Sequence, residues 1–420
     1  MEAGGSCEAD VAIVGAGIVG IACAHRFLEE GRSVVLIDRD EPARAASFGN
    51  AGALAYSEIL PLASPGILAR APRWLLDPLG PLSVPPAYAP RIAPWLYRFW
   101  RASRADRVAR STEALAALNA LARTEMDRLA DAAGVMGMIR QGGALDLYEG
   151  EAALRAAAPE WEARTKAGIP FEVLTQRAAI AAIQPGLSER LTHAVFCPLG
   201  QRVSDPHDFA AAIAARVAGR GGRILRGTVA SLSPREEGVT IRLADGRTLH
   251  AGAAVLAAGA WSRPLAARLG DKVPLETERG YNTTLAPGAF DLRLQLTFAG
   301  HGFVATPLSG GVRVGGAVEL GGLSAPPNFV RARAMLRKAA VFMPGLDTAG
   351  GREWMGFRPS LPDSLPVIGR SRASPRIVHA FGHGHLGLTQ SAATARLVAD
   401  LLAGRPPAIR LEPFRPSRFR

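Results

Sequence analysis

Lysine is nearly missing from this chain. Only Lys166, Lys272 and Lys338 occur in 420 residues, so almost all of the positive charge is arginine. Lys and Arg together number 49 against 37 Asp and Glu, a formal net charge of +12. Such a balance favours anionic partners: nucleic acid, acidic lipid, a phosphate-bearing cofactor or a carboxylate substrate. There is no Lys/Arg block and no basic–aromatic repeat, which sets nucleic acid aside. Cysteine is equally scarce. Cys7, Cys23 and Cys197 are scattered and odd in number, so they offer neither a metal spacing nor a disulfide framework and fit a reducing, cytoplasmic setting. No apolar run reaches the roughly 18 residues that a spanning helix needs. The first apolar stretch does not read as a secretory signal, because Glu2, Glu8 and Asp10 stand where signals are basic.

What is present is a large apolar content, 48% of residues, enough for an extensive core, and a length that suits about two domains. The opening stretch VAIVGAGIVGIACAHRFLEEGRSVVLID (11–38) carries the strongest signal. Val11 to Val14 reads as a buried parallel strand. Gly15, Gly17 and Gly20 follow in G-x-G-x-x-G spacing, then a helix to Glu30, a stop at Gly31, and a second strand ending at Asp38. This is a complete dinucleotide-binding unit. Gly15 allows the tight turn, Gly17 lets backbone approach a pyrophosphate, and Gly20 lets helix pack on strand. The helix start, with Ile18 and Val19, offers N–H groups and a positive dipole end to phosphates. Asp38 is placed to accept from a ribose hydroxyl, with Arg39 beside it. The spacing does not separate NAD from FAD.

The loop AASFGNAGALAYSEI (45–59) is rich in small and turn-forming residues, suited to lie against a flat ligand. Between 94 and 107, Trp95, Leu96, Phe99 and Trp100 share helical spacing, with Arg98, Arg101, Arg104 and Arg107 beside them and Pro94 suited to the first turn. That segment reads either as an interfacial helix on an anionic membrane or, preferred, as a helix packed on its own domain with a solvated basic face. A long helix is expected over 111–133, a strand over 139–148, a helix over 207–219, and strands over 224–232, 239–243 and 248–257. The stretch 273–318 is strand-like with a turn at Gly310-Gly311, and 328–342 is helical.

Near the end, MGFRPSLPDSLPVIG (355–369) is followed by VHAFGHGHLGLTQSAATARLVADLLAG (378–404). The second reads as strand, glycine-rich turn, then a helix from about Leu386 to Gly404. Its N-terminus can stabilise negative charge on a bound ring. His383 and His385 lack a third ligand at metal spacing, so no metal is expected. Arg358, in a Gly/Pro-framed turn, is a candidate carboxylate anchor.

In order, GAGIVG with Asp38, SFGNAG, VLAAGAWS (255–262), ERGY (278–281), GFRPSLPDSLPVIG and GHGHLGLT resemble the FAD-dependent D-amino-acid oxidase superfamily, most of all its bacterial D-amino-acid dehydrogenase branch, including enzymes acting on D-hydroxyproline. The resemblance spans nearly the whole chain and is weakest in the middle of the substrate domain. It implies an α/β fold of two parts. A discontinuous Rossmann-like FAD domain takes 1–70, 200–265 and 350–420. An α+β substrate domain with an antiparallel sheet takes 71–199 and 266–349. It implies that Arg358 pairs with the substrate carboxylate, that Tyr281 and His385 join it at the reacting centre, with His301 near the pocket, and that Gly384, His385, Leu386, Gly387, Leu388 and Thr389 lie against the flavin. Ser47, Asn50, Ala51 and Gly52 match the loop beside the ring, Val229 the adenine side, and Ala258-Gly259 a second cofactor turn. The implied reaction is oxidation of the Cα–N bond of a D-amino acid, D-proline or cis-4-hydroxy-D-proline with hydride transfer to flavin N5, giving an imine or 2-oxo acid. Quinone, oxygen or a partner protein would take the electrons. The absence of Cys after Cys197 points to non-covalent FAD. The alternatives are a sarcosine/glycine-type amine oxidase of the same superfamily, a flavin-bearing electron-transfer subunit, and an NAD-dependent dehydrogenase.

Overall fold

A computed structural model of the chain describes residues 8–65 and 82–419. The expected domain boundary at 70/71, and Cys7, lie outside them. Two large sheets organise the molecule. In the first, eight strands run in the order Arg223–Arg226, Val34–Asp38, Ala9–Val14, Thr248–Leu256, Gly238–Leu243, Val229–Arg235, with Ile377–Phe381 parallel to Thr248–Leu256 and Val367–Arg370 antiparallel to that. Its centre is parallel and buried on both sides. Val11, Ile13, Val34 and Leu36 pack under the helices Ile18–Glu29, Pro206–Gly219, Ala105–Ala132 and Gly387–Ala403. Ala12, Val14, Val35 and Ile37 face the opposite core. This two-sided burial is why the strands are unbroken apolar runs rather than alternating ones.

The second sheet has nine described strands, mostly antiparallel: Arg352–Ser360, Glu276–Thr284, Gly311–Glu319, Phe303–Leu308, Gln295–Phe298, Ala144–Tyr148, His193–Cys197 and Glu172–Leu174 in order, with Leu82–Ser83 beside Gly311–Glu319. One face packs on the helix Val330–Phe342 around Leu296, Phe298, Phe303 and Val314. The other face looks toward the ends of the first sheet.

Several elements differ from the sequence reading. The stretch 139–148 is two strands in different sheets, Ile139–Arg140 and Ala144–Tyr148. The stretch 224–232 also breaks, because Gly227 N–H bonds to Asp38 O at 2.7 Å and Val229 begins a separate meander. Both halves are strand-like, so composition hides the break. The strand Arg352–Ser360, expected with the cofactor part, pairs along its whole length with Glu276–Thr284 in the second sheet. The helix Ala105–Ala132, expected with the substrate part, packs on the first core. The segment 94–107 is not one helix: Ala89–Ala102 and Ala105–Ala132 meet at an extended Arg104. Pro90, not Pro94, takes the first turn. Trp95 stacks on Phe99 at 5.2 Å and is buried beside Ile92 and Leu320, so most of the apolar stripe is spent on internal packing. Tyr97 and Trp100 stay exposed, at 57% and 45%.

Candidate active site

One cavity of about 930 Å³ runs between the two sheets. At one end lies the glycine loop. A Cβ on Gly20 would sit 1.9 Å from Gly15 O, and one on Gly15 would sit 2.4 Å from Ala257 O, where φ is also +109°. Only glycine permits this close approach of turn, helix and neighbouring strand. Gly20 itself therefore lies behind the wall, whereas Gly15, Gly17, Ile18 and Val19 border the cavity. Asp38 closes the next strand. Its carboxylate accepts from Ala16 N–H at 2.6 Å and Asp40 N–H at 3.1 Å. Arg39 lies with its guanidinium 3.8 Å from the centre of the Trp261 ring. Val229, Ala258 and Gly259 complete this end.

The loop 47–52 crosses the middle. Ser47 sits at the start of the first helix, where its Oγ accepts from Ile18 N–H at 2.9 Å. Asn50 Oδ1 accepts from Gly52 N–H at 2.9 Å, so this side chain shapes its own loop. Asn50 and Ala51 border the cavity; Gly52 does not, because it packs on Val203 and Leu308. The second sheet grips the loop. Arg313 donates to Asn50 O at 2.5 Å and to Thr284 Oγ1 at 2.9 Å, and burial lowers its pKa to about 10. Asn282 Nδ2 donates to Gly49 O at 2.7 Å while its Oδ1 stays buried without a partner on the cavity wall.

At the far end the strand pair 276–284 and 352–360 aims Glu278, Gly280, Asn282, Trp354, Gly356 and Arg358 at the cavity. The Arg358 guanidinium lies flat on Gly280: a Cβ there would be 2.4 Å from its Cζ. Its Nη1 donates to Ala317 O at 3.3 Å. Glu278 stands opposite Arg358 in the strand register and accepts from Ser360 Oγ. Burial lowers the Arg358 pKa, and the Glu278 charge opposes that shift. Gly384 N–H bonds to Pro359 O at 2.8 Å, which ties the glycine-rich turn to the strand carrying Arg358. His385 is thereby placed on the same cavity as Arg358 and is exposed there. Burial lowers its pKa, Arg358 adds to that, and Glu58 and Glu278 oppose it. Leu386, Gly387, Leu388 and Thr389 continue the wall at the helix start.

Tyr281 departs from expectation. It borders the cavity, but its ring packs in the second core against Phe329, and its hydroxyl donates to Glu319 and accepts from Asn328 N–H. Strand alternation explains this: Glu278, Gly280 and Asn282 face the cavity, so Tyr281 and Arg279 face away. His301 pairs with Glu149 at 2.9 Å against Phe342, off the cavity wall. His383 is buried, bonds to Thr394 Oγ1 at 2.9 Å, and is pushed down to about 3 by burial. Sequence reasoning missed Glu278, Asn282, Arg313, Trp354, Glu58 and Asp146. For the first two, the phase of alternation around ERGY was the available signal.

The glycine cradle, the unmet Asn282 Oδ1 and the length of the cavity fit a flavin dinucleotide. The comparisons agree. The family model for FAD dependent oxidoreductases, named DAO, matches residues 10–401. The chain belongs to the DAO family of FAD-dependent oxidoreductases. It is therefore a flavoenzyme, and FAD is its cofactor. A D-amino-acid oxidase of Bradyrhizobium diazoefficiens is 37% identical over 419 residues, covering 97% of this chain and 98% of that protein. A D-amino acid dehydrogenase of Sinorhizobium medicae is 32% identical, covering 94% and 96%. Among solved structures, glycine oxidase from Geobacillus kaustophilus superposes with a TM-score of 0.78 at 24% identity, covering 98% of each chain. That likeness bears on the fold. Among the described residues no helix is long and apolar enough to cross a membrane.

Proposed function

We propose that this DAO-family enzyme oxidises the Cα–N bond of D-amino acids, giving an imine or the 2-oxo acid formed by its hydrolysis. D-Proline and cis-4-hydroxy-D-proline fall within the same chemistry as secondary amines. The observation that carries this reading is the guanidinium of Arg358, laid on Gly280 at the end of the cofactor cavity. Relatives named D-amino-acid oxidase and D-amino acid dehydrogenase support it over nearly the full chain.

When bound, FAD supplies the acceptor for the hydride removed from Cα. Gly15, Gly17, Ile18 and Val19 would hold its phosphates, Asp38 and Arg39 its ribose and adenine side, and the 384–389 turn its ring. No cysteine borders the cavity among the described residues, which supports non-covalent binding. Arg358 binds the substrate carboxylate through a charge-assisted, two-point contact and so fixes Cα. The Ala317 carbonyl holds the guanidinium in orientation, and the Glu278 charge opposite it in the strand pair favours its charged form. His385, on the cavity wall, can take the proton that the substrate ammonium must lose. Positioning is the main contribution of the protein. The exposed Tyr97 and Trp100, flanked by Arg98, Arg101 and Arg104, support a peripheral contact with an anionic membrane face.

The test is an anaerobic visible spectrum of the FAD-loaded protein with D- and L-amino acids, D-proline, cis-4-hydroxy-D-proline, glycine and sarcosine added in turn. Bleaching by D-amino or D-imino acids is expected. Bleaching by sarcosine or glycine alone would reassign the enzyme as an amine oxidase of that type, and no bleaching by any amine would sink the proposal.

A further inference from the structure

The mechanism leaves one group of cavity side chains unused. The strand Ala144–Tyr148 buries Leu145 and Leu147 in the second core and turns Ala144 and Asp146 to the cavity. Asp146 pairs in register with Thr297, and Gln295 and Thr297 border the same wall. Glu58, from the loop after the glycine-rich segment, borders the cavity too and is 39% exposed.

Among the described residues, Arg164 is the cation that reaches these carboxylates. Its guanidinium is 3.4 Å from Glu58 and 3.9 Å from Glu160, and its Nε is spent on Ser57 O at 3.0 Å. Arg164 is thus shared between Glu58 and Asp146. The Glu58 loop is fixed rather than free to swing away: Asn119 Nδ2 donates to Glu58 O at 2.9 Å, and Ala55 N–H donates to Thr389 Oγ1 at 3.0 Å. One further acceptor on this part of the wall is unmet, Gln201 Oε1, and the neighbouring Gly200 packs on Ala144 of the Asp146 strand. An unmet acceptor beside two carboxylates is costly unless a donor or cation arrives.

We infer that Glu58 and Asp146 form a side-chain subsite for a cation, so that the preferred substrates are basic D-amino acids of the lysine, ornithine or arginine type. The inference rests on the amino-acid reading of the cavity. Arg358 then fixes the carboxylate at one end while the acidic pair receives the ammonium or guanidinium at the other. Glu58, Asp146 and His385 all line the same cavity.

Asp146 also sets a pH dependence. Burial, then the Glu58 charge, pushes its pKa up to about 7; Arg164 and Thr297 pull it down, and Glu160 raises it further. Tyr148 and Cys197 lie within reach of its charge. A bound cation favours the carboxylate, so affinity for a basic ligand rises as pH increases through about 7.

The experiment uses ligands with no α-amine to oxidise. Dissociation constants of 6-aminohexanoate and hexanoate are measured on the FAD-loaded protein by perturbation of the flavin visible band. At pH 8.5 the amine-bearing acid is expected to bind at least tenfold tighter. That preference should shrink at pH 5.5 and collapse in Asp146→Asn, which is nearly isosteric, and in Glu58→Gln; retained flavin absorbance certifies each fold. Equal or tighter binding of hexanoate at pH 8.5, no measurable binding of 6-aminohexanoate, or a preference untouched by both substitutions would overturn the inference. Bleaching by D-amino acids without this preference sinks the subsite alone. The preference without any bleaching sinks the reaction reading alone.

Discussion

Gly280→Ala probes how the carboxylate anchor is held. The new Cβ would lie 2.4 Å from Cζ and Nη2 of Arg358 and 2.7 Å from Nε. Ordinary carbon–carbon contact needs about 3.5 Å, so the guanidinium must retreat by about 1 Å. Gly280 lies in an extended strand, without the positive φ that disfavours a side chain. The clash is with the tip of a long side chain rather than with backbone. The fold should therefore yield cheaply and the anchor should not. A misplacement of about 1 Å at the reacting centre costs on the order of 100-fold in rate. The assay is kcat/KM for a D-amino acid that bleaches the wild-type flavin, alongside the flavin content and melting temperature of the variant. The expected result is a loss of about 100-fold in kcat/KM with FAD retained and stability little changed. Wild-type kcat/KM in Gly280→Ala would mean that the Arg358 guanidinium is not the group that fixes the substrate.

Three further outcomes follow from the same geometry. Arg358→Ala should lose about 2–5 kcal/mol of substrate binding, roughly 30-fold to several thousand-fold in kcat/KM, while its FAD absorbance persists; unchanged kinetics would remove Arg358 from the site. Gly20→Ala should fail to retain FAD and should melt well below wild type, because its Cβ meets backbone at 1.9 Å and neither side can give; a yellow, stable variant would contradict the close packing of helix on turn. Charge reversal of Arg98, Arg101 and Arg104 should weaken co-sedimentation with anionic vesicles and leave flavin bleaching intact; equal co-sedimentation would remove the membrane contact.

The opening forty residues determined the cofactor end of this protein on their own. Each feature there is local: apolar strands, glycines at fixed spacing, a helix behind them and an acid after the second strand. Local steric rules fix such a unit wherever it sits in a chain. The last helix was legible for the same reason, with Gly404 closing it in the left-handed conformation. Arg358 was legible only as a type of residue in a type of turn. Which strand it joins, what lies beneath it and what faces it depended on pairing between 276–284 and 352–360, two stretches far apart in sequence. The same pairing set the phase of alternation that sends Tyr281 into the core and Glu278 and Asn282 to the cavity. Glu58 and Asp146 carried no sequence signal at all. Each is a single acid in an unremarkable context, and a loop of the cofactor part and a strand of the second sheet bring both carboxylates to one cavity. Short-range sterics are written in the order of residues; the meeting of charges from distant segments is decided by how the two sheets close on each other.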